Sequence, residues 1–128
     1  MIIGIGIDVT EVNRIKEGIR RYKRHFLRRI FTPKEIRYCI KRKKDPNQHF
    51  AVRFAAKEAF MKAAGLGWGR KNSPGWKDIE VRNSKEGKPQ LQLSGQANNI
   101  CTKLKVKQVH LSLTHTTTVA AAVVILEK

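Results

Sequence analysis

The chain has no apolar run of membrane-spanning length, so insertion as a transmembrane helix is not expected. It opens without a basic leader followed by an apolar stretch and a cleavage site, which argues against secretion. Cysteine is scarce, and Cys39 and Cys101 fit no metal-ligand spacing. They read as buried thiols of a protein working in a reducing cytoplasm rather than as a disulfide. Aromatic residues make up 7% of the chain, so Trp68 and Trp76, both in loop context, read as packing residues rather than as platforms for stacked bases. No internal repeat, low-complexity tract or shift in composition marks a boundary, and residues 1–128 read as one domain. With 41% hydrophobic residues it can bury a modest core and is not a disordered chain.

Acidic residues are few. Ten Asp and Glu stand against 27 Lys and Arg, for a net charge of +17. The cations are unevenly placed, about half of them lying between Arg14 and Lys44. Such a field draws in a polyanion and speeds encounter with it. Nucleic acid, an anionic membrane surface, an acidic protein and a polyphosphate cofactor are all candidates, and charge alone does not choose among them.

Ile2-Ile3-Gly4-Ile5-Gly6-Ile7-Asp8 is an apolar run with two glycines, short enough for a buried strand and ending in a carboxylate. Val12, Ile15, Ile19, Tyr22 and Phe26 then recur at helical spacing, which predicts a helix from about Thr10 to Leu27. Thr32-Pro33-Lys34-Glu35 is a helix start, with Thr as cap, Pro first and Glu third. That helix runs to about Arg42, Asp45-Pro46-Asn47 breaks the pattern, and a third helix covers about Gln48 to Ala64, stopped by Gly65. Strands are expected at Asp78–Asn83, Gln90–Ser94, Val109–Thr114 and Val119–Leu126, with a short helix over Gly95–Leu104. The outcome is an α+β fold, a small mainly antiparallel sheet packed against helices, joined by the N-terminal strand.

Within the third helix, small residues recur at Ala51, Ala55 and Ala59, a pattern suited to close burial, yet Glu58 and Lys62 sit one turn apart beside that stripe. Charges on a tightly packed face are costly without partners or work. The bland reading is a surface ion pair between them. The functional one is that Asp8, at a strand-to-helix junction, converges with Glu58 as a pair of hard oxygen ligands for Mg²⁺, leaving positions for substrate phosphates. Asp8 or Thr10 capping the following helix is the structural alternative. Arg53 and Lys57 precede Lys62 on the same helix as candidate phosphate-binding cations.

These residues together resemble a known family. Gly4-Ile5-Gly6-Ile7-Asp8 with Glu11 and Arg14-Ile15, Phe31-Thr32-Pro33-Lys34-Glu35 with Tyr38-Cys39, Arg53-Phe54-Ala55-Ala56-Lys57-Glu58-Ala59 with Lys62-Ala63 and Gly65-Leu66-Gly67, and His110-Leu111-Ser112-Leu113-Thr114-His115 with Ala120–Val124 are similar, in order, to the motifs of holo-acyl-carrier-protein synthases. Thr114 departs from the Ser that many members carry before the His. The resemblance implies a 4′-phosphopantetheinyl transferase acting on coenzyme A and an acidic acyl carrier protein in fatty acid biosynthesis. It implies Mg²⁺ at Asp8 and Glu58, with Lys62 on the leaving phosphate and Glu58 or a metal-bound water as base. Arg53, Lys57, Lys62, Gly65, Ser112 and His115 would contact the cofactor. Arg14, Arg21, Arg24 and Arg28 would present a basic ridge to the carrier protein. It further implies a homotrimer with active sites between subunits. The rival reading, a small basic nucleic-acid-binding module, accounts for the charge but has no zinc pattern or recognition motif, and leaves Asp8 and Glu58 without a reason.

Overall fold

The computed structural model describes all residues, 1–128. Strand β1 (Ile2–Glu11) leads into helices α1 (Val12–Tyr22), α2 (Arg24–Ile30), α3 (Pro33–Lys41) and α4 (Pro46–Ala63). A hairpin of β2 (Ile79–Asn83) and β3 (Pro89–Leu93) follows, then α5 (Gly95–Lys103), β4 (Gln108–His115) and β5 (Val119–Glu127). The fold is α+β, and every strand pairing is antiparallel. The N-terminal strand does join the closing strands, in the order β1-β5-β4, while β2 and β3 form a separate two-stranded sheet.

Helix α4 is the centre of the molecule. It is buried nearly all round, so it reads as a core helix rather than as an amphipathic surface one. One side packs on β5 and α5 through Ala55, Ala59 and Phe60 against Ala122, Val124, Leu126 and Ala97. The other meets the early helices, with Phe50, Ala51 and Phe54 among Val12, Ile15, Phe31 and Cys39. Cys39 and Cys101 are free and buried, and burial pushes the Cys39 thiol up to about 12. No helix is long and apolar enough to cross a membrane.

The contact of β1 with α4 depends on two glycines. A Cβ on Gly4 would lie 2.0 Å from the Ala63 carbonyl oxygen, and one on Gly6 would lie 1.9 Å from that of Ala59. Strand backbone therefore rests directly on helix backbone, as the small residues of both elements permit.

Several boundaries differ from the sequence-based expectation. The expected helix over Thr10–Leu27 begins later, because β1 continues to Glu11, paired with Val119. It also breaks at Lys23, whose φ is 49°. Phe26 folds back against α1, where a Cβ on Gly18 would come within 2.6 Å of its ring, so the break seats an aromatic side chain that periodicity counts as part of one straight helix. Pro46 opens α4 rather than breaking the chain, since its missing N–H lies where a helix has no use for one. The Thr32 capping box and the glycine stop at Gly65 are as expected, the latter closed by Leu66 N–H on the Met61 carbonyl at 2.9 Å.

Substituting Gly6→Ala forces β1 off α4 and lowers stability by about 3 kcal/mol, an overpacking cost with no flexible neighbour to absorb it. Urea denaturation measures this, and an unchanged midpoint would contradict the packing described.

Candidate active site

Asp8 projects from the same face of β1 as Gly4 and Gly6, the face that rests on α4. Its carboxylate accepts from two sides. The Thr10 hydroxyl donates to Oδ2 at 2.7 Å, and Lys62 Nζ donates to Oδ1 at 3.2 Å. Lys62 also reaches the Ile7 carbonyl at 3.1 Å, so an otherwise half-exposed ammonium is tied to the end of β1. Glu58 lies one turn before Lys62 on the same side of α4. The surface pair weighed for Glu58 with Lys62 does not form, because Lys62 turns to Asp8 instead.

Glu58 is half-buried, and its carboxylate takes part in no ion pair or side-chain hydrogen bond. Every other carboxylate that is not fully exposed has a partner: Asp8 with Lys62, Glu35 with Lys57, Asp45 with His49, Asp78 with the Gly75 amide, Glu80 with Arg82, and Glu127 with His110. An unpaired acid among so many cations is an open oxygen donor. Two carboxylates with Lys62 beside them fit the hard-oxygen chemistry of Mg²⁺ and a phosphate. Gly65 lies next in line, with φ of 70° and its amide on the Lys62 carbonyl at 3.1 Å.

Lys57 does not belong to this group. Its side chain is fully buried, and Nζ donates to Glu35 Oε1 at 2.8 Å, to the Ile79 carbonyl at 2.5 Å and to the Trp76 carbonyl at 3.0 Å. All three ammonium donors are satisfied inside the protein, and none is left for a phosphate. Burial lowers the Lys57 pKa, and the Glu35 charge opposes that shift. Glu35 also accepts from the Val81 and Thr32 amides, both at 2.9 Å, so one buried ion pair joins α3, α4 and β2. Removing either partner alone would strand a buried charge, at a cost of about 3–5 kcal/mol. In the sequence Glu35 is marked only by its capping box and its motif match, neither of which reveals this buried pairing.

Arg53 is buried as well, at 2% exposed, but it has no carboxylate partner. Its guanidinium bonds the His49 carbonyl at 3.2 Å and Asn83 Oδ1 at 3.0 Å, lies 4.1 Å from the Tyr38 ring centroid, and leaves Nε unpaired. Arg42 lies 3.5 Å from the same ring. His115 points to this side, its Nδ1 at 2.9 Å from Gln48 Oε1 and its ring 5.1 Å from that of His49. Burial holds His49 below the ordinary imidazole range, against the pull of Asp45. Arg42 and His49 are members of this cluster that the sequence did not single out, and Tyr38 was marked there only by its motif match. Ser112 lies on the opposite face of the sheet, exposed and paired across from Val123. Of the expected residues Asp8 and Lys62 are in contact, Glu58 and Gly65 lie one turn either side of Lys62 along the chain, Lys57 is spent in the core, Arg53 and His115 belong to a second cluster, and Ser112 is on the outer face.

Arg14 and Arg21 are exposed on α1, and Arg24 and Arg28 on α2, so the basic ridge is bent at Lys23 rather than continuous. Beside it a groove of about 480 Å³ has Arg14 and His25 on its rim with Tyr22, Phe26, Phe54 and Trp76 as its apolar lining. Trp76 stacks between Phe54 and Trp68, with ring centroids at 5.0 and 3.7 Å, which is the packing role expected of both tryptophans.

Residues 4–124 match the model of the 4′-phosphopantetheinyl transferase superfamily. A holo-[acyl-carrier-protein] synthase of Solibacter usitatus is 49% identical over 127 residues, 99% of each chain. The crystal structure of the Neisseria meningitidis holo-[acyl-carrier-protein] synthase superposes with a TM-score of 0.88 at 31% identity, covering 100% of both chains. That of the Bacillus anthracis enzyme, in complex with CoA (3′,5′-ADP), gives 0.79 at 39% identity, covering 98% of this chain and 96% of that one. The chain belongs to the 4′-phosphopantetheinyl transferase superfamily, and within it to the holo-[acyl-carrier-protein] synthases.

Proposed function

We propose that this enzyme transfers the 4′-phosphopantetheine group of coenzyme A to a serine of apo-acyl carrier protein and releases adenosine 3′,5′-bisphosphate. The observation that carries the reading is the unpaired, half-buried Glu58 beside the Asp8–Lys62 pair, in a chain similar throughout to enzymes of that name. Asp8 and Glu58 would hold Mg²⁺, which when bound neutralises pyrophosphate oxygens. The serine oxygen forms a bond to the phosphorus that carries the pantetheine arm, and the bond to the bridging pyrophosphate oxygen breaks. Lys62, already held at the site by Asp8 and Ile7, meets the charge that develops on the departing phosphate. The serine proton passes to Glu58 or to a water that a carboxylate orients.

The enzyme acts as a homotrimer whose sites lie between subunits. Two features support this. Arg53 and His115 do not meet Asp8 and Glu58 within one chain, yet a buried guanidinium without a carboxylate calls for an anion such as a coenzyme A phosphate. The outer face of β1 is a stripe of Ile3, Ile5, Ile7 and Val9, with Ile5 62% and Val9 64% exposed, flanked across β5 by Ile125 and Val123. An apolar sheet face of that extent wants covering, and covering it with further copies brings Ser112 to a subunit boundary.

The carrier protein would approach from the α1–α2 side. Arg14, Arg21, Arg24 and Arg28 meet its acidic residues, and the aromatic groove takes an apolar side chain between them. The reaction belongs in the cytoplasm, where two buried free thiols remain reduced.

Incubation with coenzyme A, Mg²⁺ and apo-acyl carrier protein should add one phosphopantetheine to the carrier, read by intact-mass spectrometry. The gain should vanish with EDTA and fall at least about a hundredfold in rate in Glu58→Gln. No gain from a folded sample with several carrier proteins would overturn the reading and bring nucleic-acid binding forward. Sedimentation should give a trimer in the wild type and a smaller species in Ile7→Arg, which places a charge on the covered face. A monomer in the wild type would remove the shared-site arrangement.

A further inference from the structure

The transfer reading gives no role to Asp45 or His49, which meet His115 where the first turn of α4 reaches the end of β4. Asp45, His49 and His115 each offer a donor atom there, all within 4.8 Å of one another. We propose that these three residues form a second cation site, for a divalent transition ion such as Zn²⁺ or Co²⁺, distinct from the Asp8–Glu58 pair.

The local structure prepares each ligand. Asp45 stands at the N-cap position of α4 with its carboxylate making no capping bond, and His49 lies one turn on, the i,i+4 spacing that brings two ligands near each other. His49 Nε2 is already 3.3 Å from Asp45 Oδ1, so the two donor atoms lie close enough to share one ion. His115 comes from the far end of the chain, brought by the pairing of β4 with β5. Gln48 Oε1 can only accept, so His115 Nδ1 carries the hydrogen and the Nε2 lone pair of the neutral ring is free. A ligand imidazole steadied through its other nitrogen is the common outer-shell arrangement of metal sites. The Asp45 and His49 side chains keep 30% and 18% of their surface exposed, which leaves an entry path.

The surrounding charge selects the ion. Arg42 and Arg53 both lie against Tyr38, the ring that meets His49 edge-on at 5.8 Å, and Lys44 is the neighbour of Asp45. A hard ion held by charge alone gains little beside these cations, and Mg²⁺ prefers an all-oxygen shell. An ion that bonds imidazole nitrogen strongly is suited to two histidines and one carboxylate, with further positions open to water. Bound there, it would fasten α4 to β4 through His49 and His115, which are far apart in the sequence.

Titrating the EDTA-treated, dialysed full-length protein with Co²⁺ tests this, because ligand nitrogen alters the visible absorption of the ion. One equivalent per chain should bind with an intensified band that Zn²⁺ displaces and Mg²⁺ does not. His49→Gln and His115→Gln should each weaken binding at least about tenfold, and Gln48→Leu about tenfold or more through the lost outer-shell bond. Circular dichroism without metal checks that each variant is folded. Glu58→Gln should bind as the wild type does. No saturable band, a band that survives both histidine changes, or one lost in Glu58→Gln would each overturn the proposal.

Discussion

The approach of β1 to the backbone of α4 is the constraint from which the rest of the site follows. Gly4 and Gly6 carry no side chain, and Ala59 and Ala63 offer only their backbone, so strand and helix meet without an intervening layer. That contact sets the height at which Asp8 leaves the strand and Lys62 leaves the helix, and they meet at 3.2 Å. A layer of ordinary side chains would hold the two elements several ångströms further apart. Apolar packing thus positions three charged groups without spending any of them on structure.

The scarcity of acid gives each carboxylate a distinct place. Glu35 neutralises Lys57 inside the protein and ties α3 to α4 and β2. Asp8 holds Lys62, Glu80 takes the Thr32 hydroxyl and Arg82, and Glu58 is left unpaired. Arg53 is the complementary case, a buried cation whose partners are neutral. An unpaired carboxylate and a buried cation with neutral partners thus lie in separate parts of the chain, and under the proposed arrangement a phosphorylated ligand would bring them together between copies. The outward apolar stripe on β1 supplies a surface through which such copies could associate.

Much of this was legible in the sequence where local chemistry decides structure. The Thr32–Glu35 capping box, the glycine stop after α4, the two hairpin-joined strands and the closing pair of strands all follow from residues close in the chain. Asp8, Glu58 and Lys62 were legible as a group because charges beside a small-residue stripe need a reason. The roles of Lys57 and Arg53 were not. Spacing along α4 shows which residues share a face, but not that every face of this helix is covered. Burial turned Lys57 from a candidate phosphate ligand into half of an internal ion pair, and that depends on Glu35, 22 residues away. The break at Lys23 was hidden for a similar reason, since it is Phe26 closing on Gly18 that ends α1. His49 gave no periodic or motif signal and Tyr38 carried a motif match without a role, and only the fold brings them beside His115 and Arg53.

The most direct test of the account is calorimetric titration of Mg²⁺ into the protein saturated with coenzyme A, compared among the wild type, Asp8→Asn and Glu58→Gln. The account predicts saturable binding in the wild type and an affinity at least about tenfold weaker in each variant, with thermal stability retained, because neither carboxylate supports the core. Equal Mg²⁺ affinity in all three proteins would contradict it.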